Sequence, residues 1–267
     1  MINSIKYHLT SLLLFILPAI HSSYGQDTTK PNLEFDHILL FVNNDNLKDS
    51  LDKIFTPAEK LTTEHKIQGT IGYYYLFYNT YIELLFLTDS TNAQLNKNNF
   101  GSDYISRWTK SSNACPIGFG MLMSPWDISM EYKYFYKYQS NDSPNDEYYL
   151  MSKYNNDLLQ PLIYVSMPHR AYKSLESLEE IDQRPEEIKN DLKNYLTHRS
   201  GVRNITQISY TYSKSMKSLE NLKLLNENSL IQCKKADSTS LILVFDNKGK
   251  KRKEFRLNDH IKLIIKY

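Results

Sequence analysis

Two stretches of this chain each set one side chain able to hold a cation or move a proton among large apolar neighbours. In "LEFDHILLFV" it is His37, and in "TYIELLFL" it is Glu83. An ionised carboxylate is rarely buried alone, so Glu83 is expected at a surface, paired, or bound to a cation. Side chains alternate across a strand. That alternation sets Phe35, His37, Leu39 and Phe41 on one face of the first stretch, and Asp36, Ile38, Leu40 and Val42 on the other. In the second, Tyr81, Glu83, Leu85 and Leu87 share a face, which makes Tyr81 a candidate ligand contact. A curved sheet with His37 and Glu83 on its concave side offers an imidazole nitrogen and a carboxylate oxygen to a divalent metal such as Zn, Fe, Mn or Ni. Two such ligands fall short of the three that hold a catalytic zinc. The plainer role for the pair is a hydrogen-bonded His and a Glu matched by Lys or Arg.

A second candidate lies in "SMPHRAY", where His169 and Arg170 follow a predicted strand and the guanidinium fork suits a carboxylate or phosphate. The plainer role there is a solvated turn fixed by Pro168. The Tyr runs Tyr73–Tyr75 and Glu131–Tyr138 supply rings for an aromatic pocket or for strand and helix packing. No Gly-x-Ser-x-Gly nucleophile turn, phosphate loop or dinucleotide glycine pattern is present.

The elements that must position these groups can be read from periodicity. The strand "LEFDHILLFV" is followed by a turn at Asn43 to Asp45 and by a helix, "NLKDSLDKIF", with Leu47, Leu51 and Ile54 on one side. Pro57 stops that helix. An extended piece around "EKLTTEHKI", a Gly69/Gly72 turn and two strands joined near Asn79 and Thr80 complete an order of strand, helix, strand, strand, strand. The middle of the chain repeats the order loosely: strand "CPIGFGMLMS", helix "SPWDISMEYKYFYKYQ", strand "EYYLMSKYN", strand "PLIYVSM". Beyond it, a helix runs from Pro185 towards Gly201 with Ile188, Leu192, Tyr195 and Leu196 on one face. The strand "VRNITQISYTYS", a hairpin turning at Asn247 to Gly249 and a last strand, "IKLIIKY", follow.

The N-terminus, with Lys6 ahead of the apolar run Leu9–Ile20 and small residues at Ser23 and Gly25, reads as a secretory signal peptide. Its apolar run is too short to span a bilayer. The expected location is therefore exported, periplasmic or extracellular. Across 267 residues the formal net charge is only +2, which supplies no long-range field for nucleic acid or anionic lipid. The basic run Lys248–Lys253 reads as a solvated hairpin tip. A hydrophobic content of 41% is enough for a core. Cys115 and Cys233 form either one disulfide or two isolated thiols.

The combination of "FDHILLFVNND", the strand-helix-strand-strand-strand order, "EHKIQGT" and "TYIELL" resembles the glyoxalase-like branch of the vicinal oxygen chelate superfamily, and "LQPLIYVSM" resembles the strand that follows its second module. The resemblance covers Leu33 to about Leu87 well and Ala114 to about Pro168 loosely. It implies an α+β fold of paired βαβββ modules, each a half-barrel, with a ligand cavity in the shared curved sheet. It also implies a metal held by His37 and Glu83 plus an equivalent pair from the second module, acting as a Lewis acid on vicinal oxygens. Where that second pair would fall, the chain offers Gly118 or Phe119 and Ile163 or Tyr164. His65 is then the candidate replacement ligand.

The expected organisation is a signal peptide over 1–25, a leader over 26–32, a first module over 33–112, a second, degenerate module over 113–170, and a helix-and-strand extension over 171–267. The expected function is binding of a small organic ligand in the concave face. Two alternatives stand beside it. One is a metal-dependent lyase, isomerase or dioxygenase using His37, Glu83 as the catalytic group, and His65, with one divalent ion as cofactor. The other is a structural or interaction protein with a filled sheet. The expected partners are the ligand and, as an admissible assembly, a second copy in a homodimer; neither nucleic acid nor a stable membrane anchor is expected.

Overall fold

The structure is a computed structural model. It describes residues 33–100, 103–109, 113–123, 133–139, 148–166, 181–217, 219–247 and 250–267. The expected signal peptide and leader, and the pair His169 and Arg170, lie outside the described residues.

Two mixed sheets make up the fold, and neither closes into a barrel. The apolar run Leu33–Val42 forms β1, and α1 (Asn46–Asp52) follows a turn in which Asn44 Oδ1 accepts from the Asn46 N–H at 3.1 Å. Leu47 and Leu51 are the buried side of that helix. Then come β2 (Thr63–His65), β3 (Thr70–Leu76) and β4 (Tyr81–Leu87). Two helices absent from the sequence reading follow, α2 (Ser90–Phe100) and α3 (Ile105–Trp108). The sheet continues with β5 (Ile117–Met123), β6 (Phe135–Tyr138), β7 (Tyr149–Ser152) and β8 (Leu162–Ser166). Its strand order is β2-β3-β4-β1-β5-β8-β7-β6. β1 runs parallel to β4 and antiparallel to β5, and β5 runs parallel to β8.

The second sheet holds β9 (Ile205–Ser213), β10 (Ile231–Ala236), β11 (Thr239–Phe245), β12 (Arg252–Arg256) and β13 (Ile261–Lys266) in the order β10-β9-β11-β13-β12. Helix α4 (Glu186–Leu196) precedes it, and α5 (Glu220–Leu225) links β9 to β10. The sheets share one core: Ile38, Leu40, Ile82, Leu84, Phe119 and Ile163 belong to the same buried cluster as Ile208, Tyr210, Leu243, Phe245 and Ile265. Phe245 lies 5.2 Å from Phe55 and 5.0 Å from Phe77, centroid to centroid.

Several expectations are corrected. Residues Phe135–Tyr138, read as the end of a helix, form β6, because they pair antiparallel with β7 and the strand sends Phe135 into the shared core and Tyr138 to the opposite face. Strands β11 and β12 are not a hairpin, since β13 inserts between them, parallel to β11 and antiparallel to β12. Gly69 makes the turn at φ +65°, whereas Gly72 lies inside β3. Ile188 of α4 is 51% exposed, so the buried side of that helix is made by Tyr195 and Leu196. Both cysteines are free thiols; Cys115 is buried with its sulfur 3.5 Å from the Tyr210 hydroxyl.

Candidate functional site

The face of the first sheet turned away from the shared core presents side chains of β1, β2, β3, β4, β6, β7 and β8. A cavity of about 320 Å³ opens on it, lined by His37, Leu39, His65, Gln68, Tyr74, Tyr81, Glu83, Leu85, Tyr104, Tyr138, Tyr149, Met151, Tyr164 and Ser166. Four of the sequence-derived candidates therefore meet in one place: His37, His65, Tyr81 and Glu83.

One departure from strand alternation makes the site. A bulge between Phe35 and His37 shifts the β1 register against β5. Phe35 consequently turns to the core and packs edge-on to Phe119 at 6.4 Å, so it does not share a face with His37, as simple alternation predicts. The same extra residue keeps the Asp36 carboxylate, 3% exposed, within reach of the imidazole, and His37 Nδ1–H donates to Asp36 Oδ2 at 2.7 Å. That bond leaves Nε2 as the acceptor for the Tyr164 hydroxyl. Thr80 Oγ1 donates to the Asp36 carbonyl at 2.7 Å and fixes the bulge.

The His37 ring is held between surfaces. Tyr81 stacks on it with centroids 4.2 Å apart and planes at 12°. Beneath it lies Gly120, paired with His37 in the ladder, where an added Cβ would sit 2.2 Å from His37 Cε1. A side chain at position 120 and the ring cannot both occupy that space. Gly72 serves Glu83 in the same way: an added Cβ there would sit 2.6 Å from Glu83 Oε1.

Glu83 is 8% exposed, which answers why a charge lies in an apolar strand: it faces a lined cavity rather than the core. Its Oε1 accepts from the Tyr74 hydroxyl at 3.3 Å and lies 3.8 Å from His65 Nε2; its Oε2 lies 3.9 Å from His37 Nε2. Burial first, and then the carboxylates, raise the surrounding phenols. Glu83 adds to the upward shift of Tyr74 and Tyr149, and Asp36 and Glu83 both add to those of Tyr81 and Tyr164. All four hydroxyls stay protonated at neutral pH.

The helices missed in the sequence close one end. Trp108 Nε1 donates to the Leu85 carbonyl at 2.7 Å, its ring packs edge-on to Phe41 at 4.9 Å, and Tyr104 stacks on Phe41 at 5.8 Å. From α2, Asn96 Oδ1 accepts from the Tyr138 hydroxyl at 2.7 Å. The buried guanidinium of Arg107 anchors α3 by donating to the carbonyls of Cys115, Gln160 and Asn155.

The two halves of the sheet are related by register. The antiparallel ladder pairs His37 with Gly120 and Leu39 with Gly118. Exchanging the two strands therefore carries His37 onto Gly118 and Leu39 onto Gly120. The parallel ladders extend this: Glu83 pairs with Leu39, and Tyr164 pairs with Gly120. Tyr164 thus occupies in the second half the place of Glu83 in the first, and Gly118 that of His37.

Asp36 and Tyr149 were not singled out by the sequence; Tyr74 entered only within the Tyr73–Tyr75 run, and Tyr164 only as one of two residues at the place of the second module's closing Glu. For Tyr164 a signal existed, since Gly118 and Tyr164 have the same separation along the chain as His37 and Glu83. Nothing in the sequence marks the bulge that recruits Asp36. Among the described residues no group of three or more His, Cys, Asp or Glu side chains is arranged to hold a metal, and His37 Nε2 is already engaged by Tyr164.

No family model matches the chain, and no curated protein matches it. Among solved structures it is similar to a hypothetical protein from Staphylococcus aureus, at 10% identity and a TM-score of 0.51, over 87% of this chain and 99% of that one. At that identity the likeness concerns the fold alone. Its extent goes beyond the eight-stranded sheet, so the common architecture takes in part of the region that follows.

Proposed function

We propose that the chain is an exported, glyoxalase-like protein of the vicinal oxygen chelate superfamily that binds a small organic ligand in the cavity of its eight-stranded sheet. On this reading the sheet is two βαβββ half-barrels joined through β1 and β5. The observation that carries the proposal is the register relation. The four positions related by it, His37, Glu83, Gly118 and Tyr164, lie on the cavity face of that sheet, and two of them are no longer a His or a carboxylate. A cavity of about 320 Å³ is at the low end of the range of about 300–1,000 Å³ for small-molecule sites, and its openness favours binding over a structural role with a filled sheet.

The metal-dependent alternative draws on one observation: His37 Nε2 and His65 Nε2 lie 3.9 and 3.8 Å from the oxygens of Glu83. With His37 Nε2 engaged by the Tyr164 hydroxyl, Glu83 and His65 remain, one short of the three ligands a catalytic zinc takes. What the chain's own residues can do is orient a ligand. Glu83 accepts hydrogen bonds, Tyr164 and Tyr74 present hydroxyls, and the stacked Tyr81–His37 pair offers a flat wall.

The test is a titration of chelator-treated protein, selectively labelled on its tyrosine rings, with a chemically mixed set of small organic probes. The reading predicts shifts at Tyr74, Tyr81, Tyr149 and Tyr164 without added metal. Probes that leave all four rings unperturbed would overturn it. Stoichiometric Zn, Fe, Mn or Ni in protein purified without chelator, lost in both His37→Ala and Glu83→Gln, would establish the metal-dependent alternative.

A further inference from the structure

Resting on the ligand-binding reading above, we infer that the cavity selects a small organic cation, an ammonium group carried on a compact aromatic or apolar body. Three features of the wall lead there. The first is the carboxylate of Glu83, which faces the cavity with both oxygens within 4 Å of polar neighbours but with no Lys or Arg among the described lining residues. An ion pair and hydrogen bonds from an ammonium would supply the compensation that a poorly hydrated carboxylate requires.

The second feature is the density of aromatic faces. Tyr74, Tyr81, Tyr104, Tyr138, Tyr149 and Tyr164 all line the same space. Tyr149 meets Tyr164 edge to face at 5.7 Å, and Tyr74 lies 5.9 Å from Tyr81. Ring faces carry negative electrostatic potential and attract a cation placed within about 6 Å of their centroids. Tyrosine rings around a carboxylate are suited to an alkylated or aryl-alkyl ammonium, whose charge is diffuse and weakly hydrated. The third is the sign of the field: Asp36 and Glu83 together oppose negative charge on the surrounding phenols, and the same field repels an anionic ligand. The nitrogens nearest the Glu83 oxygens are imidazole ones, His65 Nε2 and His37 Nε2, and the latter is engaged by the Tyr164 hydroxyl.

The experiment compares four probes of similar size on the wild-type protein by calorimetry: benzyltrimethylammonium, benzylammonium, benzyl alcohol and benzoate. The expected order places both cations at least about tenfold tighter than the alcohol, with benzoate weakest. In Glu83→Gln, checked for an unchanged melting temperature, the advantage of the cations over the alcohol is expected to shrink to less than about threefold. Equal or tighter binding of the alcohol or benzoate by the wild type would overturn the charge inference while leaving the ligand-binding reading in place. A cation preference that persists undiminished in Glu83→Gln would overturn the role of that carboxylate. If no probe of any charge binds, both the inference and the reading beneath it fail.

Discussion

At the scale of single residues, the site depends on one extra residue in β1 and one missing side chain in β5. The bulge turns Asp36 towards His37, and Gly120 leaves room for the imidazole against the sheet. Gly120→Ala is therefore expected to displace the His37 ring from Tyr81 and to destabilise the fold by about 1–3 kcal/mol, the usual cost of overpacking. Chemical denaturation and the ring shifts of Tyr81 measure the two effects. A second residue-scale prediction concerns His198, which lies in the core beside Phe55 and Phe77. Its Nδ1 accepts from the Thr56 N–H at 3.0 Å, and its Nε2–H donates to the Leu76 carbonyl at 2.8 Å. Burial lowers its pKa from 6.5 to about 4. Between those values the unfolded chain binds the proton and the folded one does not, so stability is full above pH 6.5 and falls as pH drops towards 4. The loss from this group is up to about 3 kcal/mol, and the pH slope of unfolding free energy is expected to flatten in His198→Gln.

At the scale of elements, the first half of the eight-stranded sheet was legible because its strands are apolar runs bounded by clear turn residues, and because β1 and β4 each carry one conspicuous polar side chain. What escaped has local causes. Helix α2 has almost no amphipathic pattern, being "STNAQLNKNNF", and it is placed by contacts such as Asn96 with Tyr138. The run "FYKY" reads equally as helix or strand until β7 pairs with it. The parallel pairing of β11 with β13 is a non-local choice that no turn signal encodes. The connection between sheets is another element-scale feature invisible in sequence. On α5, Asn221 accepts from Ser152 Oγ at 2.6 Å and donates to Asn155 Oδ1 and the Pro161 carbonyl. Its own N–H donates to Gln160 Oε1 at 2.9 Å. Asn221→Ala strands several of these buried groups, and a loss of about 1–3 kcal/mol is expected in equilibrium unfolding. A near-neutral result would mean that the network does not hold α5 to the first sheet.

At the scale of the whole molecule, the C-terminal sheet forms the other side of the core. Phe245 joins Phe55 and Phe77 in one aromatic cluster, so the wall behind the cavity rests on strands that come late in the chain. Phe245→Ala is expected to cost about 3–5 kcal/mol. Because the core is shared, unfolding followed by backbone circular dichroism and by the cavity tyrosines is expected to coincide in a single transition. Separate transitions would mean that the two sheets are independent units. The site then depends on both sheets: one carries the lining residues and the other keeps that sheet in place from behind. The most direct test of this account is a crystal structure of the protein soaked in a mixture of small organic fragments. The account predicts a fragment lying between Tyr81 and Tyr149 and within hydrogen-bonding distance of Glu83. Fragments bound only elsewhere, over a cavity closed by its own side chains, would contradict it.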